Sequence, residues 1–161
     1  MAIPVYMFMQ DDGGNSIKGG VDIRGREYSV EVLGLHHSVH ILTDDLSGKL
    51  TGARQHLPFL IEKELDSSSP YLYKALSSGL TLKRVELKYY KINDAGQEVE
   101  YFNTLLENAS VVNIMPVLFD IKDPSKEKFN HMEIVEFRYE KITWLYLEGN
   151  VQHSDEWKKR A

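Results

Sequence analysis

Two long runs of this chain alternate apolar and polar residues and then change phase, which restricts the folds open to it. In Tyr28 to Leu42 the apolar residues begin on even positions, Tyr28, Val30 and Val32. From Leu33 onward they fall on odd ones, Leu33, Leu35, Val39 and Ile41. Strand side chains alternate between faces, so a one-residue slip turns the whole apolar set over. A bulge at Gly34 is the simplest device that does this. Met132 to Leu147 behaves the same way: Val135, Phe137 and Tyr139 give way to Ile142, Trp144 and Tyr146, with Lys141 at the change. A strand that switches faces can serve two sheets, as in a barrel or a folded-over sandwich.

The remaining segments agree with a β protein. Val5 to Met9 reads as a first strand closed by the turn signal Asp11-Asp12-Gly13-Gly14-Asn15. Leu57 to Ile61 is a short apolar strand. Leu80 to Ile92 alternates, with Val85, Leu87 and Tyr89 on one face, and Asn93-Asp94-Ala95-Gly96 forms a hairpin turn into a returning strand or strand pair from Val99 to Met115. Thr43 to Gln55 is a long polar loop with no clear period, Pro116 to Phe129 a second polar connection, and Gln152 to Ala161 a polar tail apart from Trp157. One helix stands out, carrying every boundary marker. Ser69 is placed to cap it, Pro70 follows at the first helical position, and Gly79 supplies the left-handed residue that ends it. Leu72, Ala75 and Leu76 form its apolar face. The reading is mainly β: a two-sheet β-barrel or sandwich with one short flanking α-helix, in a single domain over residues 1–161.

Composition excludes several classes. A formal charge of −5 argues against a general binder of nucleic acid or anionic membranes. With no cysteine there is no disulfide, thiol nucleophile or Cys-based zinc site. No apolar run approaches the ~20 residues that span a bilayer. The start Met1 to Met9 lacks a basic n-region and reaches Gln10-Asp11-Asp12 too soon for a secretory signal.

Six histidines invite a metal hypothesis. His36 and His40 share a strand face with Ser38 but sit about 13 Å apart at ~3.3 Å per residue, too far to hold one ion together. His37 points to the opposite face with Leu35 and Val39. His36, Ser38 and His40 read as the polar face of a barrel strand. No serine lies in a nucleophile elbow or beside a base at useful spacing. The glycine pairs do not open a helix after a strand, as a phosphate loop would. No catalytic residue, metal site or cofactor is expected.

Several segments together resemble the haemolysin-coregulated protein (Hcp) family, the inner-tube proteins of bacterial type VI secretion systems. They are the start Ala2-Ile3-Pro4-Val5-Tyr6-Met7-Phe8-Met9, the run Val32-Leu33-Gly34-Leu35-His36-His37-Ser38-Val39, and Phe59 to Asp66 followed by Ser69-Pro70, Leu72, Ala75 and Gly79. The resemblance implies hexameric rings with a wide pore, stacked into a tube, driven by a contractile sheath and tipped by a spike protein. It implies effector proteins as cargo, and a protein made in the bacterial cytoplasm and secreted without a signal peptide. It places an inter-subunit contact on Thr43-Asp44-Asp45-Leu46-Ser47-Gly48-Lys49-Leu50-Thr51-Gly52-Ala53-Arg54-Gln55. Under it, His36, Ser38 and His40 line the pore and meet cargo. Pro116 to Phe129 is more charged than the family pattern, and the tail carries Lys158-Lys159-Arg160. The rival readings are a contractile-phage tail-tube protein, a small-ligand β-barrel and a histidine-using hydrolase.

Overall fold

The computed structural model describes residues 3–158. Its strands are β1 (Val5–Gln10), β2 (Ser16–Ile17), β3 (Val30–Val32), β4 (Gly34–His36), β5 (Val39–Thr43), β6 (Leu50–His56) and β7 (Phe59–Glu64). After helix α1 (Ser69–Ser78) come β8 (Thr81–Ile92), β9 (Glu98–Val117), β10 (Met132–Arg138), β11 (Lys141–Tyr146) and β12 (Val151–Glu156). The main sheet runs β2-β1-β8-β9-β10-β7-β4, with β3 attached to β1 and the β11–β12 pair attached to β9. All pairings are antiparallel.

The fold turns on β9. Its first half pairs with β8 on one edge and β11 on the other, and its second half takes β10 in place of β11. The change falls at Asn108, which has φ 51°. Before it the core-facing residues are even, Thr104 and Leu106, with Asn103 buried on the other face; after it they are odd, Ala109 and Val111. Opposite, the partner strand breaks between β10 and β11, and Asn108 Nδ2 donates to Glu140 Oε2 at 3.0 Å across the joint. A left-handed residue in one strand and a break in its neighbour fold the ladder, so one strand serves two layers. The result is sandwich-like around a core of Met7, Met9, Phe59, Ile61, Val85, Leu87, Leu106, Val135, Phe137 and Ile142.

Met132 to Leu147 was expected as one strand with a phase change near Lys141, and it lies along β9 as two strands broken at Tyr139–Glu140. Tyr28 to Leu42 was expected as one strand and divides further. Tyr28 itself has φ 65° and precedes the ladder. β3 pairs with β1 and β4 with β7, the two separated at Leu33, whose N–H reaches Glu62 O at 2.8 Å. β5 leaves the sheet altogether and pairs with β6 in a separate two-stranded ribbon. Of the expected odd apolar set only Leu35 packs against the core: Leu33 is exposed at the joint between β3 and β4, and Val39 and Ile41 are exposed on the ribbon. Likewise Gln152 to Ala161 is no simple tail, since β12 occupies Val151–Glu156 and pairs with β11 along its whole length. Of the basic tail, Lys159 and Arg160 lie outside the described residues.

The helix packs on β9 and buries Leu72 and Ala75, while Leu76 is partly exposed. Gly79 ends it at φ 65°, the left-handed conformation glycine adopts without a Cβ clash. Its start differs from expectation. Ser68 holds the N-cap position, Ser69 is the first helical residue, and no side chain caps the first turn. Pro70 falls within the first turn, where no backbone donor is needed. The Ser69 hydroxyl is engaged elsewhere. It donates to Glu133 Oε1 at 2.9 Å and receives the Lys63 ammonium at 3.2 Å and the Asp66 N–H at 3.1 Å. Lys63 and Glu133 are both fully buried and 2.5 Å apart, and Lys63 also reaches Asp66 Oδ1 and Glu64 O. Buried charges need every available partner, so a serine hydroxyl beside them serves the ion pair before the helix end. The spacing Lys63, Asp66, Ser69 marks one buried polar knot, with Glu133 contributed from β10.

Candidate functional site

The segment Thr43 to Gln55, expected as a polar loop, is mostly strand. Val39–Thr43 and Leu50–His56 pair as β5 and β6, leaving a tip of six residues, 44–49. The tip is built by Asp44. Its carboxylate accepts from the backbone N–H groups of Leu46 and Ser47 at 2.8 and 3.1 Å, which hold it below the usual carboxylate range. Gly48 takes φ 71°, and its N–H bonds to Asp44 O at 2.8 Å. Asp45 and Lys49 are exposed on this turn, and the Lys49 N–H bonds to Ser47 Oγ at 3.2 Å. Residues 51–53 are exposed and Gln55 opposes His40 in the ladder. The ribbon was missed because its outward apolar residues, its glycines and its polar residues obey no burial period.

The ribbon carries apolar side chains on a surface that its own chain does not cover. Leu46 is 100% exposed and Leu50 61%, with Ile41 and Leu42 each more than two-fifths exposed. Several exposed apolar side chains gathered on one element are a usual mark of a protein contact.

A polar and aromatic junction ties the ribbon to the body. Arg54 on β6 binds Asp155 of β12 through Nε at 2.5 Å and Nη2 at 2.6 Å. That fork holds the Asp155 carboxyl well below the usual carboxylate range. His56, at the end of β6, is buried with Nε2 2.8 Å from Asp155 Oδ2 and Nδ1 2.6 Å from the Tyr139 hydroxyl. His37 brings Nε2 to 2.9 Å from that same hydroxyl. Burial and then the charge of Asp155 push the Tyr139 phenol above its ordinary value. Trp157 stacks on His56, with ring centroids 5.7 Å apart. Sequence reading placed Arg54 in a contact loop but did not foresee Asp155, His56 or Tyr139, which are 101, 99 and 83 positions apart in their pairs. Long separations of this kind leave no local signal.

The histidine alternation is realised in part. His37 turns inward against Phe59, Tyr139 and Trp144. His36 and Ser38 are exposed and His40 is half-buried. The one continuous strand expected to carry all three is not formed: His36 ends β4 in the main sheet, Ser38 lies in the break, and His40 belongs to the ribbon. The break arises because Ser38 O accepts the Leu57 N–H at the ribbon's base and the ladder there turns away from β7. Among the described residues no group of three or more His, Asp or Glu side chains is placed to hold a metal ion.

Comparison with known proteins is consistent throughout. Residues 6–146 match the family model described as the type VI secretion system effector Hcp. The chain is 37% identical to the major exported protein of Pseudomonas aeruginosa, across 98% of this chain and 97% of that one. Among solved structures, the Hcp1 protein of Escherichia coli superposes with a TM-score of 0.87 at 58% identity, covering 97% of this chain and 99% of that one. The secreted protein Hcp3 of P. aeruginosa gives 0.78 at 29% identity, covering 98% and 100%. The chain belongs to the Hcp family of type VI secretion system proteins.

Proposed function

We propose that this chain is a non-enzymatic tube subunit that closes into hexameric rings, which stack, are exported, and carry effector proteins in the pore. The observation that carries the reading is the β5–β6 ribbon. It projects beyond the sandwich with Leu46, Leu50, Ile41 and Leu42 uncovered, and a neighbouring copy would cover them. Head-to-tail repetition of such a contact closes a ring when the rotation is right. Family membership supports tube assembly, and the exported relative in P. aeruginosa supports secretion. On this reading the contractile sheath and spike are the assembly partners, and synthesis is cytoplasmic with export independent of a signal peptide. His36, Ser38 and His40 face the lumen and meet cargo.

Native mass spectrometry and negative-stain imaging of the purified protein test the assembly: a hexamer and open rings are expected, and a monomer at micromolar concentration overturns it. The lumen assignment is tested with single cysteines at 36, 37, 38 and 40 on intact rings. Labelling at 36, 38 and 40 with protection at 37 is expected, and the reverse pattern overturns it.

A further inference from the structure

The junction beneath the ribbon has a directional order of hydrogen bonds that its contacts fix. Asp155, ionised beside Arg54, can only accept, so His56 carries its proton on Nε2. The bare Nδ1 of a neutral His56 then accepts from the Tyr139 hydroxyl. That leaves the Tyr139 oxygen to accept from His37, whose proton is on Nε2. The chain reads His37 N–H to Tyr139, Tyr139 O–H to His56, His56 N–H to Asp155.

One added proton is accommodated. On His56 it makes an imidazolium facing the Asp155 carboxylate. Nδ1–H now donates to the Tyr139 oxygen, the phenol proton swings to His37 Nε2, and the His37 proton moves to Nδ1. All three bonds survive: the two at the Tyr139 hydroxyl reverse direction, and His56 Nε2–H still donates to Asp155. A second proton has no such place. With both imidazoles charged, both donate to one phenol oxygen, the phenol proton loses its acceptor, and two cations face each other across a single hydroxyl. Burial, and then the charge of His56, already push His37 down to about 4.

The groups around this chain come from every element packed on it. Asp155 stands on β12, Arg54 on β6 and Tyr139 at the β10–β11 joint. Phe59 of β7, Trp144 of β11 and Trp157 beyond β12 close it with rings. His153 stacks behind Trp144, and the Arg138 guanidinium lies over Trp157; among the described residues the hydrogen-bond partner of the His37 ring is the Tyr139 hydroxyl and not a carboxylate.

We propose that His37, Tyr139, His56 and Asp155 form a one-proton latch at the root of the ribbon, and that a second proton frees the ribbon while the sandwich stays folded. The observation behind this is the pairing pattern: β5 and β6 make a ladder only with each other and join the body at one end, where the chain runs from β4 and into β7, so the side chains of this junction brace the ribbon's direction against β12. The latch belongs to the protomer and does not depend on ring formation.

Amide hydrogen exchange, corrected for the intrinsic effect of pH, tests it on the whole protein at pH 7, 5.5 and 3.5, with β1 and β8 as internal reference. Residues 39–56 should stay protected at pH 7 and 5.5 and exchange at least tenfold faster at pH 3.5, with the reference strands unchanged. His37→Phe removes the second proton site and should keep the ribbon protected at pH 3.5. Tyr139→Phe removes the shared hydroxyl and should expose the ribbon at all three pH values. A wild-type ribbon equally protected at pH 3.5 and 7 overturns the latch. So does opening of ribbon and sandwich together, or a His37→Phe ribbon that opens as the wild type does.

Discussion

The buried knot under the helix and the junction under the ribbon are both polar, yet they are built on opposite terms. Lys63, Glu133 and Ser69 come from β7, β10 and α1 and Asp66 from the connection between β7 and α1, and the lysine, glutamate and serine are closed off from solvent. Arg54, His56 and Asp155 join an element to the body that makes no ladder with it, and Arg54 and Asp155 keep some solvent contact. The first arrangement specifies a fold, since its charges are tolerable only in one geometry. The second holds an appendage in a direction, and its protonation is open to change. Rigidity and adjustability are thus separated within one chain.

The sharpest way to break this contrast is at the knot. Glu133→Ala leaves a buried ammonium without its main partner and should cost about 3–5 kcal/mol, read from chemical denaturation midpoints. A neutral result would mean that the ammonium finds water. Leu72→Ala should cost on the order of 2–5 kcal/mol, because Leu72 is fully buried beneath the helix. Ser69→Ala should cost about 1–3 kcal/mol, the range for stranding a buried polar partner, rather than the smaller loss of a simple cap. If the loss is only a few tenths, the hydroxyl's bond to Glu133 contributes nothing.

Acidification probes the junction with a smaller effect. His37 has a folded pKa near 4, below its ordinary 6.5. The unfolded chain therefore binds the proton first, and the contribution of neutral His37 is complete above about pH 6.5 and lost as pH falls toward 4. Thermal midpoints should decline across that window in the wild type and decline less in His37→Phe. The smallest expected effect is at the ribbon's tip. Leu46→Ala should change protomer stability by no more than about 0.5 kcal/mol, as for a surface site, while weakening assembly measured by size-exclusion chromatography. A destabilised protomer would show that the tip packs on its own body.

Much of the sandwich was legible because burial imposes a period. Val85 and Leu87, Val135 and Phe137, and the shift to Ile142 all declare their face in the sequence. The fold at Asn108 was not read, since a positive φ at asparagine leaves no mark in a hydrophobic pattern. The ribbon was invisible for the complementary reason: what ties it to the body is polar, through Arg54 and His56, and exposed Val39, Ile41 and Leu50 have no apolar core to impose a period on them. The Lys63–Ser69 spacing was conspicuous, but its meaning required Glu133, 70 residues from Lys63. Capping was the local explanation available, and a distant carboxylate displaced it.

The 20 residues of β9 have a mechanical consequence. At about 3.3 Å per residue the strand follows a path of roughly 65 Å, bent once at Asn108. It is bonded along one edge to β8 as far as Ser110, and along the other to β11 and then β10. Antiparallel hydrogen bonds lie across the strand direction, so a pull along β9 strains whole rows of them together instead of peeling them one by one. A body organised around such a strand should resist tension along either limb of β9 better than force that peels its edge strands away.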